Sequence, residues 1–365
     1  MTADPIILTR KIQLFIDSKD KEYIGEAYRK LYQWQRACFR AANYIFTHYF
    51  IQEQIKELFY IAEGTKVKLA DIKKDADGIL TTSKMNTTYQ VLAKHFKGEI
   101  PMHILSSLNM TLATHFNNEK LAYLKGEKPI RNYKRDMPIP FRGTDLARLQ
   151  ATPDGKGFTF HLFKIPFRTF LGRDLHDKKR LVERALEGSI KLCSCAIKLN
   201  GGKIFWLATF QVEKEHKKLD PTIIAEAFLS LEYPIIVKIG KSRYNIGNKE
   251  EFLYRRLAIQ SARKRVQKGS IYNRSQHGRD RKLKALDRFK DKEKNYVNYK
   301  LHVYSRRLID ICVQHQAATL ILVAQEEKEE IARQDPFLFR NWGYASLKDK
   351  ISHKANKVGI TLIME

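Results

Sequence analysis

The sequence has few cysteines, no long apolar run and fewer acidic than basic residues. Its four cysteines are too scattered for a disulfide framework, and no Cys-x-x-Cys pair is present from which a zinc ribbon is built. We therefore expect a reducing, cytoplasmic environment. No run of about eighteen apolar residues occurs, and Asp4, Arg10 and Lys11 interrupt the N-terminal stretch where a signal peptide has its apolar segment. These absences argue against a membrane protein.

Two pairs of residues have a spacing that a metal site would need. Cys193 and Cys195 lie two apart on a predicted strand and so face the same way, and Cys312 and His315 could share one face of a helix. Two potential ligands are weak support for a metal, so we interpret both pairs as packing residues and expect neither metal nor cofactor.

Basic residues dominate the charge of the chain. There are 67 Lys and Arg against 40 Asp and Glu, which gives a formal net charge of +27. An excess of this size predicts a polyanionic partner, either nucleic acid or an acidic membrane surface. Because no membrane anchor is found, we favour nucleic acid. The length of 365 residues predicts two or three domains.

Alternating apolar and polar residues predict a small antiparallel β-barrel. The alternation covers residues 6–16, 158–165, 190–199 and 204–212. The last two runs are joined by Asn200-Gly201-Gly202, a strong hairpin signal because these residues tolerate positive φ. The first strand is far from the others in sequence, so the barrel is split by an insertion.

The insertion is predicted to be a bundle of helices. Apolar residues recur in steps of three and four from Lys21 to about Ala62, around a polar Gln35. A break over residues 64–78 precedes two further helices, at about 83–96 and 102–124.

The last part of the chain predicts strand, basic helices, strand, helix, strand. The strands are expected at residues 222–230, 234–239, 319–324 and 360–364. Between Arg255 and Arg307 lie eighteen basic residues against four acids, a net charge of +14. The second basic helix keeps an apolar stripe that includes Leu286, Phe289 and Leu308, so its basic residues lie off the packed face.

This order resembles an RNase H-like nuclease domain, and in detail the RuvC domain of the miniature type V-F CRISPR effectors and the related TnpB nucleases. Asn341-Trp342-Gly343-Tyr344 matches an aromatic motif of that family. The resemblance implies an α+β multidomain fold, in which a wedge β-barrel carries an inserted helical recognition lobe and precedes a truncated RuvC-like α/β domain. The implied boundaries are residues 1–18 and 130–218 for the wedge barrel, 19–129 for the recognition domain and 219–365 for the RuvC-like domain.

The metal-binding acids of that family are expected to be missing. Its first Asp falls on Phe228 and its Glu on Val323, and its zinc ribbon and third acid have no counterpart before Glu365. Two-metal cleavage needs carboxylates around a pair of ions about 3.5–4 Å apart, and neither Phe nor Val ligates Mg²⁺. Glu226 is nearby, as are Glu326 and Glu327, but a displacement of two residues along a strand moves a side chain by roughly 7 Å. We therefore expect a dead nuclease whose fold is retained for binding.

Nucleic acid is expected to contact basic and aromatic residues in three segments: the first helix, the loop that leads back into the barrel, and the two basic helices. A solvated helix face explains the first group equally well, and an ordinary linker the second. Asn43, Thr47 and His48 could read base edges, although helix packing is the commoner role. The predicted nucleic-acid-binding residues are Arg29, Arg36, Arg40, Arg131, Tyr133, Lys134, Arg135, Arg255, Arg256, Arg263, Lys264, Arg265, Lys268, Arg274, Arg279, Arg281, Lys282, Lys284 and Arg288.

The leading hypothesis is an RNA-guided, sequence-specific DNA-binding protein that does not cut its target. Its expected partners are a guide RNA and double-stranded target DNA, with a second copy of the chain on the same guide, as is common for type V-F effectors. Relatives with dead nuclease sites act in transcription, either by activation with an extracytoplasmic-function sigma factor and RNA polymerase, which we favour, or by blocking a promoter. The alternatives are an active RNA-guided DNA endonuclease with rearranged metal ligands and a guide-independent RNA-binding protein.

Overall fold

The computed structural model describes residues 5–58, 84–172, 176–215, 217–228, 233–270, 272, 276–323 and 344–365. Contacts divide the chain into two compact units, residues 7–212 and residues 213–365, with the first six residues grouped with the second unit. The four-part division of the chain stays a prediction, and each unit is described by itself below.

The first unit contains an eight-stranded antiparallel sheet. Its strands are β1 (Ile6–Ile16), β2 (Ile139–Arg142), β3 (Leu146–Ala151), β4 (Phe158–Leu162), β5 (Ile165–Phe170), β6 (Lys191–Leu192), β7 (Ser194–Asn200) and β8 (Lys203–Val212). The order is β2-β7-β8-β1-β5-β4-β3, and β6 pairs with β8. The edge strands β2 and β3 are not paired with each other among the described residues. The predicted closed barrel is therefore a curled, half-open sheet.

Alternation along the strands builds the core of this sheet. In β8 every second residue is buried, and β1 follows the same alternation except at Arg10, which is only partly buried. The large side chains Phe160, Phe167 and Trp206 are buried within the first unit. The predicted hairpin is confirmed, because Asn200 pairs with Lys203 across Gly201-Gly202, whose φ angles are 58° and 74°.

Two of the predicted strands are wrong in detail. Residues 158–165 contain the whole of β4 and the first residue of β5, because Phe163 and Lys164 adopt φ angles of 48° and 69° and reverse the chain. Residues 190–199 are interrupted at Cys193, whose N–H donates to the Thr209 carbonyl at 2.8 Å. Neither β2 nor β3 was predicted.

The described part of the first unit also contains a short 3-10 helix (Gly143–Asp145) and the α-helices α1 (Lys21–Leu58), α2 (Lys84–Phe96), α3 (Met102–Leu124) and α4 (His176–Leu186). The helices α1, α2 and α3 confirm the predicted bundle, and α4 was missed. Asp20 precedes α1 and accepts a hydrogen bond from the Glu22 N–H at 2.8 Å, which satisfies one of the free donors at the helix start. The predicted break at residues 64–78 lies outside the described residues.

In its described residues, the second unit contains a mixed five-stranded sheet and three helices. Its elements are β9 (Asp220–Phe228), β10 (Ile235–Ile239), β11 (Ser242–Ile246), α5 (Lys249–Ser270), α6 (Gln276–Gln314), β12 (Ala317–Leu322), α7 (Tyr344–Val358) and β13 (Thr361–Met364). The order is β11-β10-β9-β12-β13; β12 runs parallel to both β9 and β13, and the other pairs are antiparallel. The predicted order of elements is confirmed, and β11 is an additional strand.

One face of this sheet forms the core of the second unit. Ala225 and Ala227 of β9 are fully buried in one cluster with residues of α6 and α7, including Cys312 and Ile351. Burial raises the pKa of the Cys312 thiol to about 12, as expected for a packing residue. His315 hydrogen-bonds the Tyr244 hydroxyl at 2.7 Å. No helix in the described residues has an apolar stretch long enough to cross a bilayer.

Candidate nucleic-acid interface

The two positions that resemble lost metal ligands are neighbours in the second unit. Phe228 ends β9, and the N–H of Val323, just after β12, donates to the carbonyl of Ala227 at 3.1 Å. Side chains alternate along a strand, so Phe228 lies on the face opposite the buried Ala227. Adjacent strands lie about 4.8 Å apart, close enough for carboxylates at these two positions to share an ion. The phenyl ring of Phe228 and the isopropyl group of Val323 cannot ligate a metal ion.

Glu226 is the acidic side chain of β9 on that same face. It is exposed, and its partners across the sheet are Lys238 on β10 and Ile321 on β12. The Lys238 ammonium lies 5.0 Å from the centre of the Phe228 ring. Among the described residues, no group of three or more His, Cys, Asp or Glu side chains is placed to hold a metal ion. Glu326 and Glu327 lie outside the described residues, as does Trp342.

In the first unit, three predicted cations from two segments line one groove. Arg36 and Arg40 come from α1 and Arg135 from the loop before β2, and the groove encloses about 410 Å³. Tyr32, Gln35 and Phe39 complete its walls. We call this the arginine groove. Guanidinium groups suit phosphates, and exposed rings suit unpaired bases.

Arg40 has partners inside the protein, whereas Arg36 and Arg135 are exposed. The Arg40 guanidinium is 3.1 Å from a carboxylate oxygen of Glu99 and lies over the Phe96 ring. Gln35, the polar residue on the otherwise apolar seam of α1, donates from Nε2 to the Met137 carbonyl at 3.2 Å. That bond ties the loop to the helix beside the groove.

Asn43 has a packing role, which sequence reasoning held to be the commoner case. Its Oδ1 accepts from the Tyr133 N–H at 2.8 Å, and its Nδ2 donates to the Tyr133 carbonyl at 3.1 Å. The Asn43 side chain therefore bonds both the N–H and the carbonyl of Tyr133 and fixes the loop against α1. Thr47 donates to the Asn43 carbonyl at 3.0 Å, and desolvation lowers the pKa of the half-buried His48.

Two predicted binding residues of the loop, Arg131 and Tyr133, instead face the helices. The Arg131 guanidinium lies 2.6 Å from the Glu119 carboxylate, which Lys128 and Tyr123 also contact. Hydrogen bonds from Lys128, Tyr123 and Arg131 lower the pKa of Glu119 to about 2. The Tyr133 hydroxyl is hydrogen-bonded to His115 Nδ1 at 3.0 Å. The exposed cations nearby are Lys134 and Arg135, and Arg29 on α1 is also exposed.

The basic helices of the second unit keep most of their predicted cations exposed. The exception is Arg256, whose Nε lies 2.9 Å from Glu293 of α6 with both side chains mostly buried. Arg263 is half-buried. The exposed ones are Arg255, Lys264, Arg265, Lys268, Arg281, Lys284 and Arg288. Arg274 and the side chains of Arg279 and Lys282 lie outside the described residues.

A second groove lies between α5 and α6 and was not predicted from the sequence. It encloses about 930 Å³, and Tyr254 and Tyr299 project from its two sides with 79% and 63% of their surface exposed. We call it the tyrosine groove. Both tyrosines occur among basic residues in the sequence, but they lie far apart along the chain, so the sequence alone did not bring them together.

Comparison with known proteins identifies relatives of the chain. No family model matches it. It is 22% identical over 260 residues to the CRISPR-associated endodeoxyribonuclease Cas12f1 of Sulfoacidibacillus thermotolerans, covering 66% of this chain and 60% of the relative. It is 34% identical over 91 residues to Cas12f1 of Syntrophomonas palmitatica, covering 25% of this chain and 18% of the relative. The matched segments thus span at most about three fifths of either relative.

A solved structure decides the fold. The protein chain of a cryo-EM structure of a Cas12f1–sgRNA–target DNA complex superposes with a TM-score of 0.65, over 99% of this chain and 89% of that chain, at 16% identity. The chain is similar to Cas12f1 and shares its fold. The predicted α+β architecture and the resemblance to type V-F effectors are thereby confirmed. The loss of nuclease activity and the binding residues stay predictions.

Proposed function

We propose that this protein is an RNA-guided, DNA-binding relative of Cas12f1 that does not cut its target. The observation that supports this most directly is the juxtaposition of Phe228 and Val323 at the ends of paired β9 and β12. In the Cas12f1 fold, metal-binding acids are expected at these positions. Without carboxylates at positions 228 and 323, a pair of Mg²⁺ ions would lack the ligands that hold them and the water they activate.

Guide RNA and target DNA are the partners that the molecule fits best. The similar solved structure is of a complex with an sgRNA and target DNA. In this chain, the exposed cations of α5 and α6 form a surface that suits phosphates. Base pairing to the guide would supply sequence recognition, while the protein holds the hybrid by its shape and backbone. Two copies on one guide RNA are part of this proposal.

We further propose that the output is control of transcription. A guided protein that leaves DNA intact acts through occupancy or through what it recruits. We favour activation by recruitment of an extracytoplasmic-function sigma factor and RNA polymerase, with promoter blocking as the alternative. The discriminating measurement is affinity purification of the tagged protein from cells that carry its native gene neighbourhood. Recovery of RNA without a sigma factor or polymerase subunit would reject activation.

Cleavage is tested with the protein purified together with its co-expressed RNA. We expect a matched DNA duplex to be bound and to stay intact in Mg²⁺ and in Mn²⁺, and a duplex mismatched to the guide to be released. Sequencing the bound RNA adds a second criterion, because one species with a constant part and a variable end indicates a guide. A broad mixture of transcripts would instead indicate guide-independent RNA binding.

The relatives' description as endodeoxyribonucleases favours one competing function, an active nuclease with rearranged ligands. Glu226 is the residue to test, since it lies two positions before Phe228 on the same face. If the wild-type complex nicks matched DNA, the Glu226→Gln variant shows whether this carboxylate took over the metal. Any metal-dependent nicking by the wild type, with a clean preparation, refutes the proposed loss of activity.

A further inference from the structure

The tyrosine groove has a lining that differs from the rest of the basic helices. Residues at a spacing of about four on each helix share one face, so each helix presents one stripe to the groove. The lining consists of Glu250, Glu251, Tyr254, Arg255 and Ala258 from α5 and Lys292, Asn295, Tyr296, Tyr299 and Lys300 from α6. Aromatic rings, cations and carboxylates are thus combined in one concave surface.

The floor of the groove is held rigidly. The Tyr296 ring stacks on Phe252 with ring centres 5.9 Å apart and an interplanar angle of 28°, and its hydroxyl donates to the Glu251 carbonyl at 3.3 Å. The Arg255 guanidinium lies over the same ring, 5.4 Å from its centre. Lys300 is paired with the Glu251 carboxylate. A fixed floor means that a ligand need not order it, which lowers the cost of binding.

The walls, by contrast, have aromatic faces without a partner ring in the described structure. Tyr254 and Tyr299 are the most exposed rings of α5 and α6, on opposite sides of the groove. Each ring offers an exposed face on which a flat group can stack. Paired bases hide their faces inside a duplex, so only unpaired bases offer a flat group of this kind.

The charges of the groove favour RNA over DNA as a ligand. Arg255 and Lys292 are exposed cations that suit phosphates at the rim. Glu251 is paired with Lys300, so the exposed Glu250 is the carboxylate of the lining that would repel a phosphate inside the groove. A ribose 2′-hydroxyl can donate a hydrogen bond to a carboxylate, and deoxyribose has no such donor. A base and its ribose inside, with phosphates at the rim, would match the rings, the Glu250 carboxylate and the exposed cations.

We propose that the tyrosine groove binds one or two unpaired ribonucleotides, with bases stacked on Tyr254 and Tyr299. The inference deepens the proposed function and rests on it for the source of the RNA, which would be an unpaired part of the guide. The contacts themselves depend on this groove alone. They differ from the phosphate contacts of the basic helices because they need a base that is free to stack.

The test uses the full chain without guide or target DNA, so its result is independent of guided binding. Affinity for an oligo(U) RNA of about six nucleotides is measured by fluorescence anisotropy over a range of salt concentrations. We expect Tyr254→Ala and Tyr299→Ala each to weaken binding by about 5- to 140-fold while the salt slope is unchanged. Tyr254→Phe and Tyr299→Phe keep the stacking face and should bind as the wild type does.

The matched control is Tyr272→Ala, because Tyr272 is 85% exposed beside the same helices but outside the groove. It should leave oligo(U) affinity unchanged, and oligo(dU) should bind the wild type more weakly than oligo(U). Photo-crosslinking of iodouridine RNA should label Tyr254 or Tyr299. Equal loss in the Tyr272 variant, no loss in the groove variants, or equal affinity for RNA and DNA would overturn the proposal. So would a change in oligomeric mass of Tyr254→Ala without a change in RNA affinity, which would indicate a protein interface.

Discussion

Arg256 of α5 and Glu293 of α6 form an ion pair, with Nε 2.9 Å from the carboxylate and only 14% of each side chain exposed. Gln260 donates to the same oxygen at 2.8 Å. Burial alone would raise the pKa of Glu293, but these hydrogen bonds and the charges of Arg256 and Arg263 lower it. One cation of the most basic part of the chain therefore joins two helices instead of facing a ligand.

We predict that Arg256→Ala destabilises the protein and that Arg265→Ala, a change on the same helix, does not. Removing the Arg256 guanidinium leaves the Glu293 carboxylate mostly buried with one partner fewer, which costs about 1–3 kcal/mol of unfolding free energy. Arg265 is exposed, so its loss should change the unfolding free energy by less than about 0.5 kcal/mol. Urea unfolding measures both, and equal effects would mean that the ion pair contributes nothing.

The Glu119 cluster predicts a pH dependence. Its folded pKa of about 2 lies below the ordinary value of 4.5, so the unfolded chain binds more protons between these values and stability falls as the pH falls. The stabilisation from Glu119 is therefore complete above about pH 4.5 and is lost toward pH 2. We expect the difference in unfolding free energy between wild type and Glu119→Gln to shrink over this window. A difference that stays constant would contradict the low pKa.

The arginine groove predicts a change in the salt dependence of nucleic-acid binding. If Arg36 or Arg135 neutralises a phosphate, its replacement by Ala should lower duplex DNA affinity and make the slope of log K against log salt shallower by about 0.9. Arg180 on α4 is an exposed arginine outside the groove, so Arg180→Ala is the matched control. An unchanged slope in the Arg36 and Arg135 variants would remove the groove from the binding surface.

Gly247 predicts a stability effect that depends on a close approach. Its φ is +80°, and a Cβ there would lie 2.7 Å from Tyr304 and 2.8 Å from Pro234. Gly247→Ala should cost about 2–5 kcal/mol through backbone strain and overpacking. Gly240 also has positive φ but open space around a Cβ, so Gly240→Ala should cost about 1–2 kcal/mol. Equal costs in urea unfolding would show that the packing against Tyr304 is not tight.

Much of the fold could be predicted, because half-buried strands and amphipathic helices show their periodicity in sequence. The strand β1 has its predicted bounds, and α3 covers residues 102–124 as expected. The turn at Phe163 and Lys164 could not be predicted, since neither residue type favours positive φ. In β11, Ile246 alone is fully buried, so its apolar signal was too weak to detect.

The candidate site was less predictable, because composition identifies cations but not their partners. Arg131 and Glu119 are twelve residues apart, and Arg256 and Glu293 are thirty-seven apart. Only the folded chain shows that these arginines are already paired. The same holds for the tyrosine groove, which α5 and α6 create by packing against each other.

Under the proposed function, the pairing of β9 with β12 would also affect how easily nuclease activity could return. Phe228 and Val323 are neighbours at the ends of two paired strands, so a single mutation to an acid at either position would place one charge beside an apolar side chain that cannot ligate a metal ion. Such an intermediate would be less stable and still inactive, so selection would have nothing to favour. The loss of the metal-binding acids is then one that a single codon change does not reverse.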